Sequence, residues 1–235
     1  MSCELHLGDC LEVMRGMADK SVDCVVTDPP YGIGYKMNAP NKQTNGHRNT
    51  SRTFGVDALD TSWIADAYRV LKPNTCAYVF TRWDVLHIWR AAIEDAGFSV
   101  AQRLIWDKSH WGAGDLRYYG SQIEDVLFCR KGNPTMAWAG RRGNVFKSTT
   151  RAFYPERSDL HPTQKPESVM TSFVLDSTQP GDTILDPFMG SGTTGVACIK
   201  TGRNFIGCEI DPTYHAIAQR RIEDAAAQPM LFEAS

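Results

Sequence analysis

Thr183-Ile184-Leu185-Asp186-Pro187-Phe188-Met189-Gly190-Ser191-Gly192-Thr193-Thr194-Gly195 reads as a short apolar strand, a turn and the opening of a helix. Gly190, Gly192 and Gly195 keep the G-x-G-x-x-G spacing in the strand-then-helix context that a nucleotide-binding turn requires. The next strand, residues 204–208, is followed by Glu209, placed where a carboxylate grips ribose hydroxyls in nucleotide-binding sheets. A plain glycine-rich turn would leave Glu209 without a role. Asp186 and the bulky Phe188 precede the glycines, where a pyrophosphate would favour neutral donors near the helix N-terminus. An acid there suits a nucleoside that carries a positive centre.

A second motif lies far upstream. Val22-Asp23-Cys24-Val25-Val26-Thr27 is a buried-strand run, and it ends in Asp28-Pro29-Pro30-Tyr31. The prolines fix their own φ and restrict the residue before each of them. They carry no N–H, so their carbonyls act only as acceptors. The result is a stiff cup of acceptors with an aromatic wall, suited to a flat group bearing an amine, such as a nucleobase. The plainer reading is a strand followed by a proline-rich turn.

Between and around these motifs, strand and helix alternate. Strands are expected at 4–7, 22–27, 76–81, 99–106, 124–130, 183–185 and 204–208. Helices are expected at 10–17, 61–71, 84–96, 166–177, from the glycine turn to 200, and 213–227. Repeated strand–helix units point to an α/β fold, a mostly parallel sheet with helices on both faces. Residues 32–59 are polar and aperiodic, a length of loop that is usually functional or mobile. Residues 131–164 are irregular and basic.

The chain has 235 residues and a net charge of −2, enough for one large domain and not basic overall. Two segments are basic all the same. Residues 130–165 carry eight Lys or Arg against Glu156 and Asp159, and residues 32–55 carry Lys36, Lys42, Arg48 and Arg52 with no acid. A local basic face can bind phosphates while the remaining surface is neutral or acidic. No apolar run approaches the roughly 20 residues of a membrane span, and residues 1–4 lack signal-peptide character, so a cytoplasmic protein without membrane contact is expected. Seven cysteines are scattered without C-x-x-C spacing and away from the histidines, as core residues of a reducing compartment rather than a metal site.

Taken together, the motifs resemble those of the DNA amino-methyltransferases, which move a methyl from S-adenosylmethionine to an exocyclic base nitrogen. Asp28-Pro29-Pro30-Tyr31 is similar to their catalytic motif, and Asp186 to Gly192 to their cofactor loop. The catalytic motif comes first and a basic segment lies between the two, an order similar to the circularly permuted β class. Leu7-Gly8-Asp9-Cys10, His161-Pro162-Thr163-Gln164-Lys165-Pro166 and the strand beginning Ile123-Glu124-Asp125 also match family segments. The resemblance spans nearly the whole chain.

It implies a Rossmann-like methyltransferase fold across residues 1–235, with a mobile loop at 32–59 and a small DNA-recognition segment at 132–160. It implies S-adenosylmethionine as cofactor. Asp9 and Cys10 would lie at the adenine and Glu209 at the ribose. Asp186, Phe188, Gly190, Ser191, Gly192 and Thr193 would form the loop, with Thr163 and Lys165 at the amino-acid end. The expected substrate is double-stranded DNA. A homodimer and a cognate restriction endonuclease are the partners that the family suggests. Lys36, Arg48, Arg52, Arg141, Arg142, Lys147 and Arg151 are the candidate DNA contacts.

The target base would flip out of the duplex, stack on Tyr31 and give its amine hydrogens to Asp28 and the Pro29 carbonyl. In this family an Asp at the first motif position leans toward adenine N6, and cytosine N4 is the alternative. A nicotinamide oxidoreductase would use the glycine turn but leave residues 28–31 and 161–166 idle. A non-catalytic DNA-binding subunit would not need the intact acid and aromatic.

Overall fold

The structure is a computed structural model that describes residues 1–31, 36–37, 52–53, 59–111, 119–138, 141–148 and 164–227. Its main sheet has eight strands: β1 (Cys3–Leu7), β2 (Val22–Thr27), β5 (Leu71–Thr81), β6 (Ser99–Asp107), β7 (Ile123–Lys131), β8 (Val145–Lys147), β9 (Thr183–Asp186) and β10 (Asn204–Glu209). Across the sheet they run β1-β10-β9-β2-β5-β7-β6-β8. Neighbours pair in parallel except where β7 sits between β5 and β6, antiparallel to both. The mostly parallel α/β sheet expected from the alternation is therefore present. Two-residue strands β3 (Lys36–Met37) and β4 (Arg52–Thr53) pair separately within the polar loop.

Helices cover both faces. α4 (Glu167–Ser177), α5 (Thr193–Lys200) and α6 (Pro212–Ala226) pack with Cys24, Val26, Tyr78 and Phe80. α1 (Cys10–Gly16), α2 (Trp63–Val70) and α3 (Leu86–Asp95) pack with Val25, Ala77 and Val79. Successive strand residues thus point into opposite cores, the period of two expected of a strand. A strand covered on both faces reads as a continuous apolar run, which is why residues 22–27 show no alternation. The stacked pair Tyr78 and Phe173, with ring centroids 4.4 Å apart, anchors α4 to β5 and is worth about 1 kcal/mol beyond its buried area.

Two differences from the sequence reading have clear causes. β5 starts at Leu71, directly after α2, because Leu71 pairs with Val22 and Lys72 Nζ reaches Asp23 at 2.7 Å. Pro73 falls at the register shift between Val22 and Cys24, where the ladder needs no donor from it. β8 was not expected. Three residues of an aperiodic segment become a strand because the β6 edge offers unpaired backbone groups.

The seam between β2 and β9 joins residues about 160 positions apart, and its register covers only Cys24 with Ile184 and Val25 with Leu185. Side-chain acids extend it at both ends. Asp23 Oδ2 accepts from the Thr183 N–H at 2.9 Å. At the other end Asp186 Oδ1 accepts from Thr27 Oγ1 at 2.8 Å and from the Phe188 N–H at 3.1 Å, and Oδ2 accepts from Thr194 Oγ1 at 2.7 Å.

Asp186 is buried, and burial, outweighing these three donors, pushes its carboxyl up to about 7. A carboxyl raised in the folded chain holds a proton that the unfolded chain releases near pH 4. Its contribution to stability is therefore present below about pH 4 and is lost as pH rises through about 7. In Asp186→Asn the amide oxygen keeps two acceptor contacts and its NH₂ donates to Thr194 Oγ1. Between pH 5 and pH 8 the wild type should lose roughly 2–3 kcal/mol more of unfolding free energy than this variant. Denaturant titrations at the two pH values check this, and equal losses in both proteins would contradict it.

Candidate active site

The C-terminal ends of the parallel strands form one edge, and it carries both motifs. Thr27 pairs with Val79, so Asp28 to Tyr31 leave the sheet beside Phe80, Thr81 and Arg82. The glycine turn leaves from β9 next to β2. Leu7 pairs with Glu209, which brings Asp9 beside the end of β10. Residues far apart in sequence thus converge because a parallel sheet collects the strand ends on one side.

In the turn, Gly190 has φ +51° and Gly192 has φ +76°, a region that disfavours side chains. A Cβ on Gly192 would come within 2.8 Å of Ala218 on α6, whereas one on Gly190 would meet nothing within 4 Å. The turn packs tightly underneath and is open above, as a ligand platform must be. Glu209 Oε2 accepts from the Gly190 N–H at 3.0 Å and Oε1 from the Asp211 N–H at 2.9 Å. Burial raises its carboxyl, and those backbone donors oppose the rise. Asp9 caps α1, accepting from the Leu11 N–H at 2.9 Å. Cys10 is buried beneath it, its thiol pushed up to about 12 mainly by burial, so it packs as a neutral group. Phe188 meets Trp63 edge-on at 5.4 Å. Ser191 and Thr193 are held by Arg221, whose Nη1 donates to the Ser191 carbonyl and, at 2.9 Å, to its hydroxyl. The motif-based reading omitted Arg221, which lies 30 residues beyond Ser191 on the next helix.

The cup is more closed than its sequence suggests. Tyr31 Oη donates to Asp28 Oδ1, and Lys165 Nζ donates to Asp28 Oδ2 at 2.5 Å. Lys165 is buried, lies 3.3 Å from Glu124 Oε2 and sits 5.2 Å from the centre of the Phe80 ring. The resemblance placed Lys165 at the amino-acid end of the cofactor; in the structure its ammonium is on Asp28. Glu124, on β7, stands in the sequence only as part of a strand. A charged pair heading an otherwise apolar run, Glu124-Asp125 before Val126-Leu127-Phe128, was the available signal.

Burial is the largest influence on Asp28 and raises its carboxyl, Glu124 adds to the rise, and Lys165 opposes it. The Asp28 side chain is still 23% exposed, so solvent tempers the burial effect. Burial also acts to raise Glu124, but Lys165 and Lys108 together hold it below the usual range. Burial alone would lower Lys165, and the two carboxylates outweigh it and raise it.

The candidate DNA contacts divide. Lys147 is exposed on β8 in register with Asp107, at the same edge as the cup, and Arg141 is exposed ahead of that strand. Arg142 pairs with Asp176 and lies over the Trp138 ring at 5.5 Å. Asp176 is near the far end of α4 from Lys165, roughly 15 Å away along the helix. Lys36 and Arg52 are placed by their backbones in β3 and β4. Arg48, Arg151 and Thr163 lie outside the described residues, as do most of 32–59 and residues 149–160 of the expected recognition segment. Trp83 just past β5, Trp111 past β6 and Tyr119 ahead of β7 are exposed aromatics at the cup's edge. Among the described residues no group of three or more acids, cysteines or histidines could hold a metal ion, and no helix is long and apolar enough to cross a membrane.

Known proteins resemble this chain in sequence and in fold. The chain is 31% identical to YubD of Escherichia coli K12 over 92% of its own length and 88% of that protein's. It is 28% identical to the DNA adenine methyltransferase YhdJ of the same organism, over 93% and 82%. The crystal structure of the M1.HpyAVI–SAM complex superposes with a TM-score of 0.68 at 26% identity, covering 93% of this chain and 99% of that one. The cytosine-N4-specific PvuII DNA methyltransferase shares the fold, with a TM-score of 0.73 at 18% identity over 96% and 92%. The family model described as DNA methylase matches residues 22–220, a span that takes in the cup, Lys165, the glycine turn and Glu209. With that match over most of its length, the chain belongs to the N6- and N4-amino DNA methylase family.

Proposed function

We propose that this chain is a DNA adenine-N6 methyltransferase that uses S-adenosylmethionine. One observation carries the reading: Asp28, at the mouth of the sheet beside the open glycine turn, is a carboxylate aimed by a tyrosine and a lysine rather than one spent on backbone. Adenine is favoured by Asp at the first position of the motif and by the similarity to YhdJ, which is named an adenine methyltransferase. Cytosine N4 is the second reading, because the exocyclic amine of cytosine presents the same hydrogens.

The cofactor supplies an electrophilic methyl. The chain's residues supply the rest. Asp9 and Glu209, at the ends of adjacent strands, would face the nucleoside, and the turn at Gly190 leaves space for it. A flipped base would displace the Tyr31 hydroxyl from Asp28 and stack on the ring, recovering part of the few kcal/mol lost on unstacking. Asp28 and the Pro29 carbonyl then accept from the amine, fix its lone pair toward the methyl and offset the positive charge that develops on nitrogen. The thiols raised by burial, Cys24, Cys129, Cys198 and Cys208, lie in the core, and the transfer is direct, without a covalent enzyme intermediate. Duplex DNA would lie across the edge that carries Trp83, Trp111, Tyr119 and Lys147.

Three outcomes follow from this reading. Asp28→Ala should lower single-turnover methyl transfer about 100-fold or more, while binding S-adenosylhomocysteine within about threefold of wild type. Nucleoside digests of DNA methylated by the wild type should contain N6-methyladenine; N4-methylcytosine alone would select the second reading. Lys147→Ala should reduce the salt slope of DNA affinity by about one, and Arg142→Ala should leave it unchanged, because that guanidinium is committed to Asp176 at the other end of α4.

A further inference from the structure

Both oxygens of Asp28 are occupied by donors from the protein itself, Tyr31 Oη on Oδ1 and Lys165 Nζ on Oδ2. The two donors are not equivalent. Tyr31 is the terminal residue of the motif and part of the cup's wall. Lys165 comes from just ahead of α4, is 7% exposed and has a second carboxylate, Glu124, within 3.3 Å. Glu124 Oε2 is buried and has no well-angled hydrogen bond, so its charge is matched by that ammonium without being satisfied by it. A lysine set between two carboxylates in a desolvated corner stays charged, and removing it would leave buried charge without compensation.

We infer that Lys165 is a positioning residue for Asp28: its ammonium, shared with Glu124, keeps the Asp28 carboxylate ionised and holds Oδ2, leaving Oδ1 as the oxygen that exchanges Tyr31 for the target amine. The inference rests on the methyltransferase reading above and assigns Lys165 to the base side of the site instead of the cofactor side. The charged and titratable groups acting on Asp28 are Lys165, Glu124 and Tyr31; Arg82 acts on Tyr31, Lys108 on Glu124, and Asp186 is the neighbouring carboxyl. Lys165 and Glu124 act on Asp28 with opposite sign, so their removal should move its titration in opposite directions.

The test is the pH dependence of single-turnover methyl transfer from tritiated S-adenosylmethionine to mixed-sequence duplex DNA, using the full chain. In Lys165→Met the acid limb should move up by about one pH unit or more, because the buried carboxylate has lost its cation. In Glu124→Gln the limb should move down. Lys165→Arg should restore the wild-type limb at least in part. S-adenosylhomocysteine affinity, measured by calorimetry, should change less than about threefold in all three variants. An unmoved limb in Lys165→Met, or an affinity weakened about tenfold or more with the limb in place, would overturn the inference and return Lys165 to the cofactor. Should Lys165→Met not fold, Glu124→Gln decides alone, since an unmoved or raised limb there contradicts the shared ammonium. A wild type that methylates no DNA fails the methyltransferase reading itself and is thereby distinguished from a failure of Lys165.

Discussion

A buried carboxylate with three donors joins the strand that ends in Asp28 to the strand that ends in the glycine turn, and the geometry of the whole edge follows from that joint. Asp186 takes one hydroxyl from Thr27, the residue immediately before Asp28, and one from Thr194, in the first turn of α5. The register between β2 and β9 covers only two residue pairs, a short ladder between the strands that carry the two motifs. Two acids, Asp23 below and Asp186 above, extend it in both directions. The chain must close a loop of some 160 residues to make this contact. Closure entropy grows only logarithmically with length, so such a seam costs about 2–3 kcal/mol more than one closed by roughly 10 residues. The sheet needs the two strands side by side, and either chain order can supply that at a cost of this size.

The same geometry separates what the sequence could disclose from what it could not. Glycine spacing, the proline-locked acid and the strand–helix rhythm are local, and they were legible as the α/β fold, the cup and the turn. The place of Glu209 beside the turn was legible as well, because its distance from Gly190 is set by one helix and one strand. Lys165 was visible but its partner was not. Nothing in His161-Pro162-Thr163-Gln164-Lys165 indicates whether the ammonium faces a cofactor or Asp28, 137 residues earlier. Glu124 and Arg221 were missed for the same reason, since each acts across a strand or helix pairing. β8 was illegible because an edge strand borrows its structure from its neighbour rather than from its own pattern. Charge counting also misled in one place. Arg142 adds to the basic total of residues 130–165, yet Asp176 and Trp138 absorb it at the opposite end of α4.

Charge at the cup has a consequence for the chemistry. Asp28 and Glu124 share the buried ammonium of Lys165, Lys108 lies 3.5 Å from the other oxygen of Glu124, and burial holds the Asp186 carboxyl at about 7, so that it is partly ionised at neutral pH. In the proposed function the Asp28 carboxylate would favour an amine that becomes cationic as the methyl arrives, and acids along this edge would favour a methyl donor with a cationic sulfur. Carboxylates at the cup would also disfavour phosphate there. In the proposed function the DNA backbone would be held at the rim, by exposed cations such as Lys147, while only the uncharged base enters. A chain of net charge −2 in which residues 32–55 and 130–165 carry 12 of the 25 Lys and Arg fits this division, with cations for phosphate outside the cup and carboxylates within it.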